Sequence, residues 1–109
     1  MLIRWMVAET LRDAGYTVIE AMNGDEAMEI LHGGVAVDLV FSDVRMPGSL
    51  DGLGLLERLQ RSTPQIAVVV TSGHCDPAVA IAGGAAAFIR KPYDMEEVAA
   101  VIGAQLQKS

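Results

Sequence analysis

The chain has almost no cysteine: Cys75 is the single one in 109 residues. A lone thiol cannot close an internal disulfide, so a disulfide scaffold is excluded and a reducing, cytoplasmic setting is expected. Basic residues are also scarce, 8 Lys and Arg against 14 Asp and Glu, for a net charge of -6. Nucleic-acid phosphates need a basic surface, so the charge argues against nucleic acid and for a protein partner or a cation. No apolar run approaches the roughly 20 residues of a membrane span. The run at 66–70 has only the length of a strand. No basic-then-apolar leader opens the sequence. Internal repeats, low-complexity segments and linkers are lacking too. There is no glycine-rich phosphate loop and no dinucleotide fingerprint, which leaves a nucleotide-dependent enzyme without support.

What is present is a globular composition, 51% hydrophobic and 20% charged, on a length that suits one domain, residues 1–109. Apolar spacing predicts a helix over 2–14, with Ile3, Met6, Val7, Thr10 and Ala14 on one face and Gly15 as its stop. The β-branched TVIEA at 17–21 predicts a strand. Asn23 caps a second helix that ends near His32, before Gly33 and Gly34. A strand over 39–42 and a helix marked by Leu53, Leu56 and Leu59 come next, closed before Pro64. The continuously apolar 66–71 reads as a strand buried on both faces, as in parallel sheets. Asp76-Pro77 starts a short helix to about residue 82. A strand over 86–90 follows, and Asp94 with Glu97 caps a last helix reaching Gln107. Alternation of this kind predicts an α/β doubly wound parallel sheet with helices on both faces.

In open sheets of that class, ligands bind at the carboxyl ends of the strands. Those ends carry Asp43, then Thr71-Ser72, then Lys91. Pro47 and Gly48 stop the strand that delivers Asp43, and Lys91-Pro92 bends the chain with room for a cis peptide. An acid, a hydroxyl and a lysine at one edge suit phosphoryl transfer. The carboxylate can attack phosphorus, the ammonium can hold the phosphoryl charge, and the hydroxyl can donate to a phosphoryl oxygen.

The motifs "DLVFSDVRMPG", "DGLGLL", "VVVTSGH" and "GGAAAFIRKPYDMEEV" resemble, over nearly the whole chain, the CheY-like receiver domains of bacterial two-component response regulators. The resemblance implies a flavodoxin-like sheet, here of about four strands with five helices. It implies that Asp43 accepts a phosphoryl group from a histidine kinase or phosphotransfer protein. Arg45 would offer its backbone carbonyl to Mg²⁺ beside Asp43. Ser72 would be the switch hydroxyl, with Thr71 as its rival, Phe88 the coupled aromatic and Lys91 the phosphate-binding lysine. Such a domain is a signalling module rather than a classical enzyme, and at most catalyses its own phosphotransfer. With no output domain after Ser109, it would act through a downstream protein target or as a phosphate sink.

Three departures qualify that picture. The family's first strand, with the acidic pair at its tip, has no counterpart, because "MLIRWMVAETLRDAGY" begins at the first helix. Mg²⁺ seeks octahedral oxygen coordination with carboxylate help, so weak metal binding and slow or lost phosphorylation are expected. In the family's strand order the absent strand is central. Either 17–21 pairs directly with 39–42, or another chain fills the gap; the expectation is a homodimer or strand-exchanged assembly. "PGSLDG" also carries one residue more than the commonest family spacing, and the short stretch from Ser72 to Gly84 leaves room only for a small fourth helix. A receiver-derived interaction module without phosphoryl chemistry is therefore the second reading.

Other residues fit simpler roles. His74 and Cys75 are adjacent but lack a second ligand cluster, and read as loop residues. Trp5 lies with Glu9 and Arg12, opposite the apolar face, and reads equally as an exposed aromatic without a role or as a contact to another subunit.

Overall fold

The computed structural model describes residues 2–21, 24–34, 36–43, 51–63, 65–73 and 76–107, with side chains from residue 7 onward. Its elements are α1 (Leu2–Asp13), α2 (Gly24–His32), β1 (Leu39–Asp43), α3 (Gly52–Ser62), β2 (Ala67–Ser72), α4 (Pro77–Ala82), β3 (Ala87–Arg90) and α5 (Met95–Gln107). The expected caps on Asn23, the turn at Pro47-Gly48, and His74, Cys75, Arg45 and the side chain of Trp5 lie outside the described residues.

Local chemistry accounts for where the helices begin and end. Asp51, Asp76 and Asp94 each turn a carboxylate oxygen back to a first-turn amide, of Gly54 at 2.8 Å, Ala78 at 2.9 Å and Glu97 at 2.7 Å. Each bond satisfies a donor that helix geometry leaves without a partner. Pro77 opens α4 at a position where its missing amide costs nothing. Gly15 ends α1 with φ of 99°, a left-handed turn that a side chain would oppose.

The strands form one parallel sheet in the order β1-β2-β3. β2 is central, and Val68, Val69, Val70 and Thr71 are each at most 2% exposed. Alternation along β2 divides the core into two layers. Val68 and Val70 pack with Leu55, Leu56 and Leu59 of α3, Met28 of α2 and Ala80 of α4. Val69 packs on the other face with Ile89, Val98 and Ile102, and with Val7 and Leu11 of α1. The doubly wound layout expected from the sequence is thus present, with α1 and α5 on one face and α2, α3 and α4 on the other.

Two expectations need correction. Residues 17–21 are not a strand, so the sheet of described residues has three strands, not four. A strand exists only through hydrogen bonds to a neighbour, and among the described residues no backbone hydrogen bond is seen to join 17–21 to β1. β-branched composition makes a segment fit for a sheet without supplying the neighbour. The buried face of α1 is also turned from the expected one. Val7, Ala8 and Leu11 are buried, Thr10 is half-buried and Ala14 is exposed, because the bulk of Leu11 points at the sheet.

Candidate functional site at the carboxyl edge of the sheet

The parallel ladder brings the three strand ends to one edge. Asp43 is opposite Thr71, Thr71 is opposite Ile89, and Ser72 is opposite Arg90. Lys91 follows directly, and its backbone amide donates to the Ser72 carbonyl at 3.1 Å. That bond fixes the start of the lysine on the end of β2. The side chain then reaches across β2, and Nζ lies 2.5 Å from Oδ1 of Asp43. Oδ1 is shielded from solvent, and among the described residues the Lys91 ammonium is the group that compensates its charge. The side chains remain 38% exposed for Lys91 and 43% for Asp43, which leaves the pair open to a reactant from solvent.

The hydroxyls differ in position. Register partners in a parallel sheet share a face, so Thr71 stands beside Asp43 on the side of α1 and α5. Its Oγ1 is buried, with no hydrogen-bond partner among the described residues. Ser72, buried as well, is the last residue of β2. Register favours Thr71 as the neighbour of Asp43, and the sequence resemblance favours Ser72. Phe88 is half-buried against the α3 layer.

One residue at this edge escaped the sequence reading. Tyr93, two positions after Lys91 and past a cis Lys91-Pro92 bond, returns to the mouth of the sheet. Its ring meets Phe41 edge-on, with centroids 6.2 Å apart and planes at 67°. Burial, and secondly the charge of Asp43, raise its phenol above the ordinary value of 10.0. The only signal in the sequence was its place in "KPY".

The chain as a whole is similar to known proteins. Residues 1–103 match the family described as the response regulator receiver domain. The chain belongs to that family. A crystal structure of the receiver domain of NtrX from Brucella abortus is 36% identical, superposes with a TM-score of 0.90, and is matched over 98% of this chain and 92% of that one. The DNA-binding transcriptional regulator NtrC of Escherichia coli (strain K12) is 35% identical over 103 residues, 92% of this chain and 22% of NtrC. The sensor kinase CckA of Brucella abortus (strain 2308) is 36% identical over 110 residues, 97% of this chain and 12% of CckA. This receiver thus spans about a fifth or less of the length of NtrC and CckA. The fold is flavodoxin-like, and receivers are signalling domains of bacterial two-component systems.

Receivers generally bind Mg²⁺ for phosphorylation. The residues described here do not by themselves make such a site. Among them no three His, Cys, Asp or Glu side chains converge, and the one carboxylate at the edge already faces an ammonium. Mg²⁺ needs more oxygen ligands than Asp43 offers. Among the described residues, no helix is long and apolar enough to cross a membrane.

Proposed function

We propose that this receiver accepts a phosphoryl group on Asp43 and passes the change on by protein contact. The observation that carries this reading is the Lys91 ammonium 2.5 Å from the Asp43 carboxylate, at the carboxyl edge of a parallel sheet. The donor is the phosphohistidine of a histidine kinase or of a phosphotransfer protein. An Asp43 oxygen attacks phosphorus, the P–N bond breaks, and the imidazole leaves and takes up a proton. The product is an acyl phosphate on Asp43. Lys91 then exchanges a carboxylate for a dianionic group and stays as its counter-charge. Ser72, or Thr71 in its place, donates a hydroxyl to a phosphoryl oxygen, and Phe88 responds to the shift. A downstream protein target reads the altered face. Mg²⁺, if bound, would be held weakly by Asp43 and the carbonyl of Arg45, and would help neutralise the phosphoryl charge.

A small phosphodonor with Mg²⁺, followed by mass spectrometry of the intact protein, tests this. The native chain gains one phosphoryl mass and Asp43→Asn gains none. Lys91→Met slows labelling by about a hundredfold, the usual cost of removing a charge-stabilising donor. No gain, under conditions that label an intact receiver, rejects the reading. The second reading, an interaction module without phosphoryl chemistry, is supported by the lack, among the described residues, of three converging metal-ligating side chains and would then stand.

A further inference from the structure

Tyr93 has no part in the chemistry proposed above, yet its place at the edge is fixed from several directions. Before it, the Lys91 amide donates to the Ser72 carbonyl at 3.1 Å. After it, Asp94 caps α5 by accepting from the Glu97 amide at 2.7 Å. Tyr93 therefore stands just outside a helix N-cap. An apolar group at that position commonly packs against the residue five positions on, here Val98. Both belong to the cluster on the α1 and α5 face, where Val98 is fully buried. The third hold is the ring of Phe41, 6.2 Å away between centroids.

Phe41 also relates the tyrosine to Asp43. Residues two apart on a strand share a face and lie about 6.6 Å apart along it. Phe41 and Asp43 are thus in line on the α1 and α5 side of β1, with Asp43 one step nearer the edge. A ring seated on Phe41 borders the side chain beyond it. Burial first, and the Asp43 charge second, raise the phenol's pKa, so Tyr93 senses that carboxylate and stays neutral beside it. Lys91, two positions earlier, meets Asp43 directly. One short segment brings a cation and an aromatic ring to the same acid.

An acyl phosphate on Asp43 needs protection that the lysine does not give. The Asp43 side chain is 43% exposed, so water reaches this edge. In hydrolysis a water oxygen bonds to phosphorus and the bond from phosphorus to the Asp43 oxygen breaks. The carboxylate leaves with the electron pair, and the water's proton passes to phosphate or to solvent. Lys91 balances charge but, as an ammonium, holds water rather than excluding it. Tyr93 is half-buried, anchored on the core and bordering the mouth. Its ring fills space there without offering water a strong partner.

We infer that the Tyr93 ring is a wall beside the phosphorylated Asp43 that limits the approach of water and so sets how long the acyl phosphate lasts. The inference rests on the proposal that Asp43 accepts a phosphoryl group.

The full chain is labelled with acetyl phosphate and Mg²⁺, the donor is removed, and decay of the phosphoryl mass is followed by mass spectrometry of the intact protein. Tyr93→Ala shortens the half-life about tenfold. Tyr93→Phe keeps the ring, loses only the hydroxyl, and stays within about twofold of the native half-life. Initial rates of labelling match the native rate, because the wall acts on loss and not on gain. Should Tyr93→Ala fail to fold, Tyr93→Leu keeps an apolar group against Val98, removes the ring, and shortens the half-life in its place. Equal half-lives for the native chain and the ring-less variant overturn the inference. So does Tyr93→Phe decaying as fast as Tyr93→Ala, which would assign the effect to the hydroxyl. A native chain that gains no phosphoryl mass rejects Asp43 as acceptor and this inference with it, whereas a labelled native chain with an unchanged variant half-life rejects this inference alone.

Discussion

Tyr93 has the clearest titration signature at the site. Burial first, and the Asp43 charge second, raise its pKa above 10.0. Folding thus favours the neutral phenol. Its stabilising contribution is whole below pH about 10 and is lost as pH climbs through the raised value. Asp43→Asn should lower the midpoint without restoring the ordinary value, because burial persists. Phenolate absorbance read against Tyr93→Phe, which isolates Tyr16, checks this; an unchanged midpoint would separate Tyr93 from Asp43. Thr71 offers a second test at this scale. Its hydroxyl is buried and lacks a partner among the described residues, so Thr71→Val, equal in shape, should stabilise the fold by about 1 kcal/mol in urea melts. If Thr71→Val also leaves signalling intact, the switch role falls to Ser72. The acid and the lysine were legible because strand ends are written locally. Tyr93 was not, because nothing in "KPY" says that the chain turns back to the mouth of the sheet.

At the scale of elements, the caps repeat one device. Three aspartates, Asp51, Asp76 and Asp94, each hold a first-turn amide. Asp94→Ala should cost about 1 kcal/mol, and α5 carries Val98 and Ile102, nearly unexposed against the sheet. Circular dichroism through a urea titration measures the loss; a midpoint equal to the native one would mean that packing alone holds α5. α4, six residues long, is as short as the spacing from Ser72 to Gly84 predicts. Val79 and Ile81 on it are half-exposed, which suits an element with one buried residue, Ala80. Residues 17–21 show the limit of local reading. Their composition is that of a strand, and Ile19 is nonetheless 53% exposed. Arg12 holds the segment by donating to the Val18 carbonyl at 3.0 Å, a contact from a helix rather than from a sheet.

For the whole molecule, stability should be graded outward from β2. That strand pairs on both sides and is buried on both faces. Its amides should exchange slowest in the chain, near the rate of global unfolding, and the outward-facing amides of the edge strands β1 and β3 faster. Hydrogen exchange followed residue by residue tests the ranking; uniform protection across the sheet would contradict it. By itself the sequence determined the helix caps at Asp76 and Asp94, the run of valines that must lie at the centre, and the order in which acid, hydroxyl and lysine reach strand ends. These are properties of short stretches, set by propensity, capping and periodicity. Only the tertiary structure decided that Lys91 crosses β2 to meet Asp43, that Tyr93 joins them, and that 17–21 stands off from β1 across an apolar slot. Pairing and contact between distant segments depend on how the two helical layers seat on the sheet, and no single stretch encodes that geometry.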